Sequence, residues 1–334
     1  MTSPVVSVHM ITYNHAPYIR EAIESVLAQQ TDFPFELVIG EDHSPDNTLA
    51  IVCEYQQRHP DIIRVITSDQ NVGMARNARR TFEACTGKYI AYCEGDDYWN
   101  TPLKLQKQVD FLEANPSCSL VCSDYDILFE DTGRRLTFIN RQNNLQPGKI
   151  DQIKSIIRGT PSSGILTCTV MARRDLVALA VERNPAMLGG DTPQPCGDTP
   201  TWAGLFVEGR IGYIDESLAT YRRIDVSATR NPSKAALLRT SIAMKRQMLE
   251  MAEMYNVDET EKSLHRLDLN KRLLRLAYFE RDAALAREAF DALTSRTLLD
   301  RVLLFGAGSN ALHTLVRPWV GLFARPLIPT TEKP

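Results

Sequence analysis

Several features that would assign this sequence quickly are missing. No run of roughly 18 apolar residues occurs anywhere, so no helix that could span a bilayer is expected. The first residues do not read as a secretory leader, because Val5–Ile11 is interrupted by His9 and followed at once by polar residues; a cytoplasmic protein is expected. Positive charge is in no surplus: 38 Lys and Arg face 41 Asp and Glu for a net charge of -3, which argues against nucleic acid as a partner. The seven cysteines, at 53, 85, 93, 118, 122, 168 and 196, form no CxxC pair and mostly sit in apolar runs. They read as small core residues, which excludes a disulfide framework or a zinc site. No GxGxxG or Walker-type loop follows the first apolar run, so a diphosphate would lack its usual glycine-rich cradle.

What is present is an ordinary globular composition, 43% hydrophobic and 24% charged, over 334 residues. The stretch Lys88–Pro102 stands out. An apolar strand, Tyr89–Cys93, runs into Glu94, Asp96 and Asp97. Three acids within four residues repel one another, and a divalent cation with a preference for hard oxygen ligands, magnesium or manganese, is the natural counter-charge. Thr101 and Pro102 read as the N-cap and first residue of the next helix.

The same texture precedes it. Strands are expected at Val5–Ile11, Phe35–Ile39 and Ile62–Ile66. Between them lie helices carrying Ile19, Ile23 and Val26, then Leu49 and Val52 behind Asp46 as N-cap, then Met74–Cys85. Strands alternating with helices at this spacing imply right-handed crossovers and an α/β fold with a mostly parallel sheet. Thr12-Tyr13-Asn14, Glu41-Asp42, Asn71–Gly73 and Glu94–Asp97 then share the edge where such sheets bind ligands. Further strands are expected at Ser119–Ser123, Leu136–Ile139, Leu166–Met171, Ile211–Ile214 and Leu218–Tyr221. A short helix is expected through Ile150, Ile153 and Ile157, and a Pro/Gly-rich loop over Asn184–Gly197 ahead of Asp198 and Trp202. From about Pro232 only helical patterns remain. The stretch Leu298–Leu327, with Trp319 beside Arg296, Arg301, Arg317 and Arg325, admits two readings, a buried closing helix or an amphipathic segment in a membrane interface. Gly306-Ala-Gly308 mimics half of a dinucleotide fingerprint, but the remaining chain is too short for the unit of about 30 residues it needs.

Taken in order, Val-Ser-Val-His-Met-Ile-Thr-Tyr-Asn, Glu-Asp-His-Ser-Pro-Asp, Asn-Val-Gly-Met-Ala-Arg-Asn and Glu-Gly-Asp-Asp-Tyr-Trp resemble the family-2 inverting glycosyltransferases of GT-A fold. The likeness spans about residues 5–225. The Glu-Gly-Asp-Asp-Tyr-Trp motif resembles the bacterial subgroup that assembles surface polysaccharides. The resemblance implies a domain over 1–230, with a nucleotide-binding half over about 1–125 and an acceptor half over 126–230, followed by a helical region over 231–334. It implies that Thr12, Tyr13 and Asn14 shape the base pocket, that Asp42 reads the base, and that Asn71, Gly73 and Arg76 close over the nucleotide. Asp96 and Asp97 would meet the ribose and a Mn2+ or Mg2+ ion, and Asp198 would be the catalytic base. The family commonly has a His shortly after Tyr-Arg at the last strand; Tyr221-Arg222-Arg223-Ile224-Asp225 has none, so Arg222 or Arg223 is expected to meet the diphosphate instead.

The implied enzyme moves a hexosyl or related group from a nucleoside-diphosphate sugar, with a UDP-sugar as first expectation, to a glycan or lipid-linked acceptor. One base and one cation suffice for such an in-line displacement. Trp99 and Trp202 could stack on sugar rings, although core positions are the plainer reading. Asp198 has its plain reading too, as a helix cap. Two other functions fit the same residues: a sugar nucleotidyltransferase, which would want a basic glycine-rich loop after the first strand, and a catalytically silent nucleotide-sugar or glycan-binding scaffold.

Overall fold

The computed structural model describes residues 3–145, 153–158, 164–184, 197–224, 234–309 and 314. The chain forms two compact units, Met1–Asp225 and Val226–Pro334.

Among the described residues the first unit holds nine strands in one sheet: β1 (Val6–Thr12), β2 (Phe35–Glu41), β3 (Ile63–Ile66), β4 (Tyr89–Tyr92), β5 (Tyr98–Trp99), β6 (Cys118–Phe129), β7 (Arg135–Leu136), β8 (Met171–Arg173) and β9 (Arg210–Arg223). Their order is β3-β2-β1-β4-β8-β6-β9-β5, with β7 on β6. Strands β3, β2, β1 and β4 pair in parallel. Helices α1 (Ile19–Leu27), α2 (Thr48–Arg58) and α3 (Met74–Ala84) connect them. The long β6–β9 pairing is parallel as well, while β8 bridges the two halves antiparallel to β4 and β6. Val6, Val8 and Met10 of β1, Leu37 and Ile39 of β2 and Tyr89 and Ala91 of β4 are fully buried with Ile19, Ile23 and Val26 of α1. Alternate positions of buried parallel strands thus supply the core, and the polar ends are left at one edge.

Four local expectations are corrected. Helix α4 (Lys104–Ala114) begins two residues later than Pro102, because the Leu103 and Leu105 amides donate to Thr101 Oγ1 and to Gln29 Oε1 of the first helix's end. Leu136–Ile139 is not a strand beyond Leu136. Phe138 turns left-handed at φ 52° and α5 (Ile139–Gln142) starts, its Asn140 and Arg141 amides held by Asp124 Oδ1 and Oδ2. Leu166–Met171 contains a 3-10 turn, Thr167–Thr169, before β8. Its carbonyls serve side chains in place of a ladder: Trp99 Nε1 donates to Cys168 O and Gln108 Nε2 to Thr169 O. The two strands expected over Ile211–Tyr221 are one, β9, irregular in register near the exposed Asp215 and Glu216. Helices α6 (Ile153–Arg158), α7 (Arg174–Arg183) and α8 (Asp198–Glu208) complete the unit. Ile150 and most of the expected loop, residues 185–196, lie outside the described residues.

Among the described residues the second unit holds α9 (Lys234–Met254), α10 (Glu259–Glu280), α11 (Ala283–Asp291) and α12 (Leu298–Gly308). Asp258 caps α10, Asp282 caps α11, and Thr297 with Asp300 forms a capping box on α12. Leu274, Tyr278, Ala286, Leu293 and Leu303 are among the residues of its core. Gly306 and Gly308 lie inside α12, which disposes of the fingerprint look-alike. No helix among the described residues is long and apolar enough to cross a membrane. Trp319, Arg317 and Arg325 are outside them.

Candidate active site

The parallel strands bring four loops to one edge. Asp42 N–H donates to Thr12 O, Gly95 N–H to Ile11 O and Cys93 N–H to His9 O, so the chain leaving β2 and the chain leaving β4 both hold to β1. Gly95 is required there: a Cβ on it would lie 2.6 Å from Thr12 Oγ1. The acid loop can therefore lie directly on the end of β1.

After β1, Tyr13 is 45% exposed and offers an open ring at the edge. Asn14 adopts φ 61°, a left-handed conformation Asn tolerates, and its N–H donates to Ser44 Oγ. Next to it, His15 N–H donates to Thr48 Oγ1 and Ala16 N–H to Asp46 Oδ2. Asp46 Oδ1 also receives Thr48 N–H at the start of α2, so Asp46 ties two loops together.

Asp42 is buried, and both its carboxylate oxygens are in use: Oδ1 accepts Val72 N–H at 2.8 Å and Oδ2 accepts Gly73 N–H at 3.0 Å. Asn71 Nδ2 donates to Asp42 O, and Gly73, at φ 88°, turns the chain into α3. Asp42 thus builds the Asn71–Gly73 loop. Sequence reasoning missed Arg80, which joins the same assembly through Glu41 O and Asn77 Oδ1, although its spacing of three from Asn77 on one helix could have signalled it. Arg76 is exposed and makes no hydrogen bond or ion pair among the described residues.

The acid loop is divided in orientation. Asp97 is buried and its Oδ1 accepts Arg222 N–H at 2.9 Å. Burial and the neighbouring Asp96 push its carboxyl well above the usual range, with the Arg222 amide opposing. Asp96 meets solvent, with His15 Nε2 3.8 Å from its Oδ2. Glu94 Oε2 is buried and unpartnered among the described residues, as are Thr12 Oγ1 and His15 Nδ1. Burial, then Asp97, Asp198 and Asp96, hold Glu94 well above the usual range.

Arg222 does not reach out of the edge. It is buried, its Nε donates to Asp96 O at 2.9 Å and Nη1 to Glu130 at 2.5 Å, and Nη2 pairs with Glu21. Tyr18 and Tyr98 flank the guanidinium, 5.0 and 5.3 Å from its carbon. Contact with a diphosphate would require exchanging these bonds; as it stands, Arg222 holds the acid loop against β9.

Asp198 opens α8 but does not cap it: the N-cap is Gly197, with no side-chain cap bond. The residue keeps an exposed surface. Protein packed around the rest of its carboxyl raises its pKa, opposed by a hydrogen bond to Thr167. Trp202, one turn further along α8, packs its ring edge-on against Tyr92, two residues before Glu94, which brings the start of α8 towards the acid loop. Trp99 and Trp202 are core residues, 4% and 3% exposed, so neither offers a ring face to a sugar.

A divalent cation fits this donor set in part. Glu94 Oε2 is an orphaned hard oxygen donor, and the neighbouring carboxyls raise its pKa as uncompensated like charges do. Among the described residues no group of three or more His, Cys, Asp and Glu is placed to hold a metal ion. The protein would supply part of a shell that phosphate oxygens and water complete, as magnesium and manganese accept.

Residues 7–177 match the family model for glycosyl transferase family 2. A protein of Mycobacterium tuberculosis (strain H37Rv), itself uncharacterized, is 40% identical over 132 residues, 40% of this chain; the match spans only 38% of that relative's length. TuaG of Bacillus subtilis, assigned to teichuronic acid biosynthesis as a glycosyltransferase, is 30% identical over 234 residues, covering 70% of this chain and 84% of TuaG. Among solved structures, S. aureus TarS 1–349 in complex with UDP-GlcNAc aligns at TM-score 0.54 and 18% identity over 95% of this chain and 86% of that one. A mannosyltransferase from Pyrobaculum calidifontis in complex with GDP-Man and Mn2+ aligns at TM-score 0.54 and 19% identity, over 96% and 84%. At such identities the structures speak for the fold, which is of GT-A type.

Proposed function

Since the chain belongs to glycosyl transferase family 2, we propose that it is an inverting glycosyltransferase that moves a sugar from a nucleoside-diphosphate sugar to an acceptor hydroxyl. The observation that supports this reading is Asp198, an exposed carboxylate at the start of α8, the helix whose Trp202 packs on Tyr92 just before the acid loop. Asp198 takes the proton of the acceptor hydroxyl as the new bond forms, on the face opposite the departing diphosphate; such a base gives about 10²–10⁴-fold. Tyr13 and Asn14, with the loop that Asp42 folds, receive the nucleotide, and Arg76, exposed and without an ion pair among the described residues, is a cation beside it. Asp96 is the carboxylate best placed for the cation, with Asp97 fixing the loop behind it. A bound Mn2+ or Mg2+ would stabilise the charge that develops on the leaving diphosphate.

The donor class is supported by the nucleotide sugars in the two structural neighbours, with a UDP-sugar as first choice. TuaG, assigned to teichuronic acid biosynthesis, supports a place in polysaccharide assembly, and the acceptor proposed for this chain is a glycan or lipid-linked hydroxyl. Peripheral membrane contact belongs to the same proposal: Leu298 and Phe305 are 78% and 61% exposed on α12 beside the exposed Arg301. Co-sedimentation with phosphatidylglycerol vesicles tests it, and no binding would remove it.

The substrate test is a thermal-shift panel of nucleoside diphosphates and nucleotide sugars with Mn2+. A ligand at 100 times its Kd should stabilise by about 2.7 kcal/mol. The shift should vanish with chelator and shrink in Asp96→Asn. Equal shifts with and without metal would refute the cation's place in binding.

A further inference from the structure

Beneath Asp198 two buried polar groups have no partner. Tyr92, the last residue of β4, is 4% exposed, and Trp202, one helical turn after Asp198, is 3% exposed. Their rings meet edge to face with centroids 5.5 Å apart. Among the described residues neither the Tyr92 hydroxyl nor Trp202 Nε1 has a hydrogen-bond partner. The polar ring of His9 is 5.3 Å from Tyr92, and its Nε2 is engaged with Ala78 O. Folded proteins rarely leave buried hydroxyl and indole groups unpaired, and a fold under no other demand would place Phe at both positions.

The location says what they face. Tyr92 stands two residues before Glu94 and Trp202 one turn after Asp198, so their contact brings the acid loop and the start of α8 together. On the reading above, the acceptor oxygen lies at Asp198 and the diphosphate at the acid loop, so the sugar in transit lies between. We propose that Tyr92 and Trp202 form a specificity subsite for a hydroxyl of the transferred sugar. The two groups are complementary to one such hydroxyl: Trp202 Nε1 can only donate, to its oxygen, and the Tyr92 oxygen can accept its proton. A donor lacking that hydroxyl leaves both unpaired, and discrimination by unpaired buried groups is the strong kind.

This inference rests on the glycosyltransferase reading, and the test separates the two. UDP, UDP-GlcNAc, GDP and GDP-mannose, each with Mn2+, are titrated calorimetrically into the full-length wild type, Tyr92→Phe and Trp202→Phe. Wild type should bind one nucleotide sugar more tightly than its diphosphate. Tyr92→Phe should bind the diphosphate as wild type does and lose about tenfold or more of that sugar-dependent affinity. Its melting temperature without ligand should be unchanged or raised by roughly 2–4 °C, since it sheds an unpaired buried hydroxyl. Trp202→Phe, which also removes ring volume, is judged only by the ratio of sugar nucleotide to diphosphate affinity and should lose it likewise. A lowered melting temperature in Tyr92→Phe would reveal a structural partner and overturn the proposal. An unchanged affinity ratio in both variants would overturn it too while leaving the family reading intact. A wild type that binds none of the four probes would count against both.

Discussion

Asp198 shows what a residue's position adds to its identity. Sequence reasoning left it between helix cap and base; the N-cap is Gly197 instead, and the carboxyl is enclosed enough to hold its proton above the ordinary range. On the proposed reading Asp198 is a base that must be ionised to act, so transfer should fall as pH drops through this raised pKa, with the acid limb of kcat/KM above the usual Asp value near 4. The stability sign is opposite. A carboxyl whose folded pKa is raised contributes stability below its unfolded pKa and loses it as pH rises through the folded one. Asp198→Asn should therefore melt no lower than wild type at pH 7 while transfer falls by about 10² or more. Retained transfer would pass the role to another carboxylate. Asp42 and Arg222 teach the converse. Their types and places were legible, but their bonds were not: Asp42 is engaged by Val72 and Gly73, and Arg222 by Glu21, Glu130 and the acid loop, partners far away in sequence. Linear spacing carries no sign of such pairing.

Elements were legible where periodicity and burial agree. The strands β1 to β4 and the helices between them follow from apolar runs ended by polar clusters, and the edge loops follow from that alternation. The segment Thr167–Thr169 misled because its β-branched, apolar residues suit a strand, whereas Trp99 and Gln108 claim its carbonyls. Helix α4 hides a second surprise. Lys104 is fully buried, with Nζ 2.6 Å from Gln108 Oε1 and 4.4 Å from the centre of the Trp99 ring. Burial pulls its pKa down to about 8, against attraction from Cys93, Cys168 and Glu94. Between that value and the unfolded value near 10.5 the unfolded chain binds more protons, so this lysine's contribution to stability rises with pH across the window, by up to about 3 kcal/mol. Cys93 and Cys168, held well above the ordinary thiol range by burial, work the other way. The measurable quantity is thus the difference between wild type and Lys104→Met in urea midpoint at pH 7.5 and pH 10. Wild type should gain relative to the variant at pH 10, and a constant difference would mean that Lys104 keeps its proton across this window, its pKa not lowered by burial.

At the scale of the molecule, a parallel half carrying β1 to β4 and a half built on β6 and β9 meet through β8, and the acid loop and Asp198 come from opposite sides of that junction. The fold class and the edge could be read from alternation alone; the β8 bridge could not, since a three-residue strand leaves no periodic signal. This arrangement suits a single in-line displacement, with the base on one side of the transferred carbon and the leaving group on the other. Its stereochemical consequence is open to one direct measurement. With the α-linked nucleotide sugar chosen by the panel and no acceptor, water can take the acceptor's place, and NMR of the first sugar released reports its anomer before mutarotation. The account predicts the β anomer, formed by wild type and not by Asp198→Asn. Release of the α anomer would contradict it.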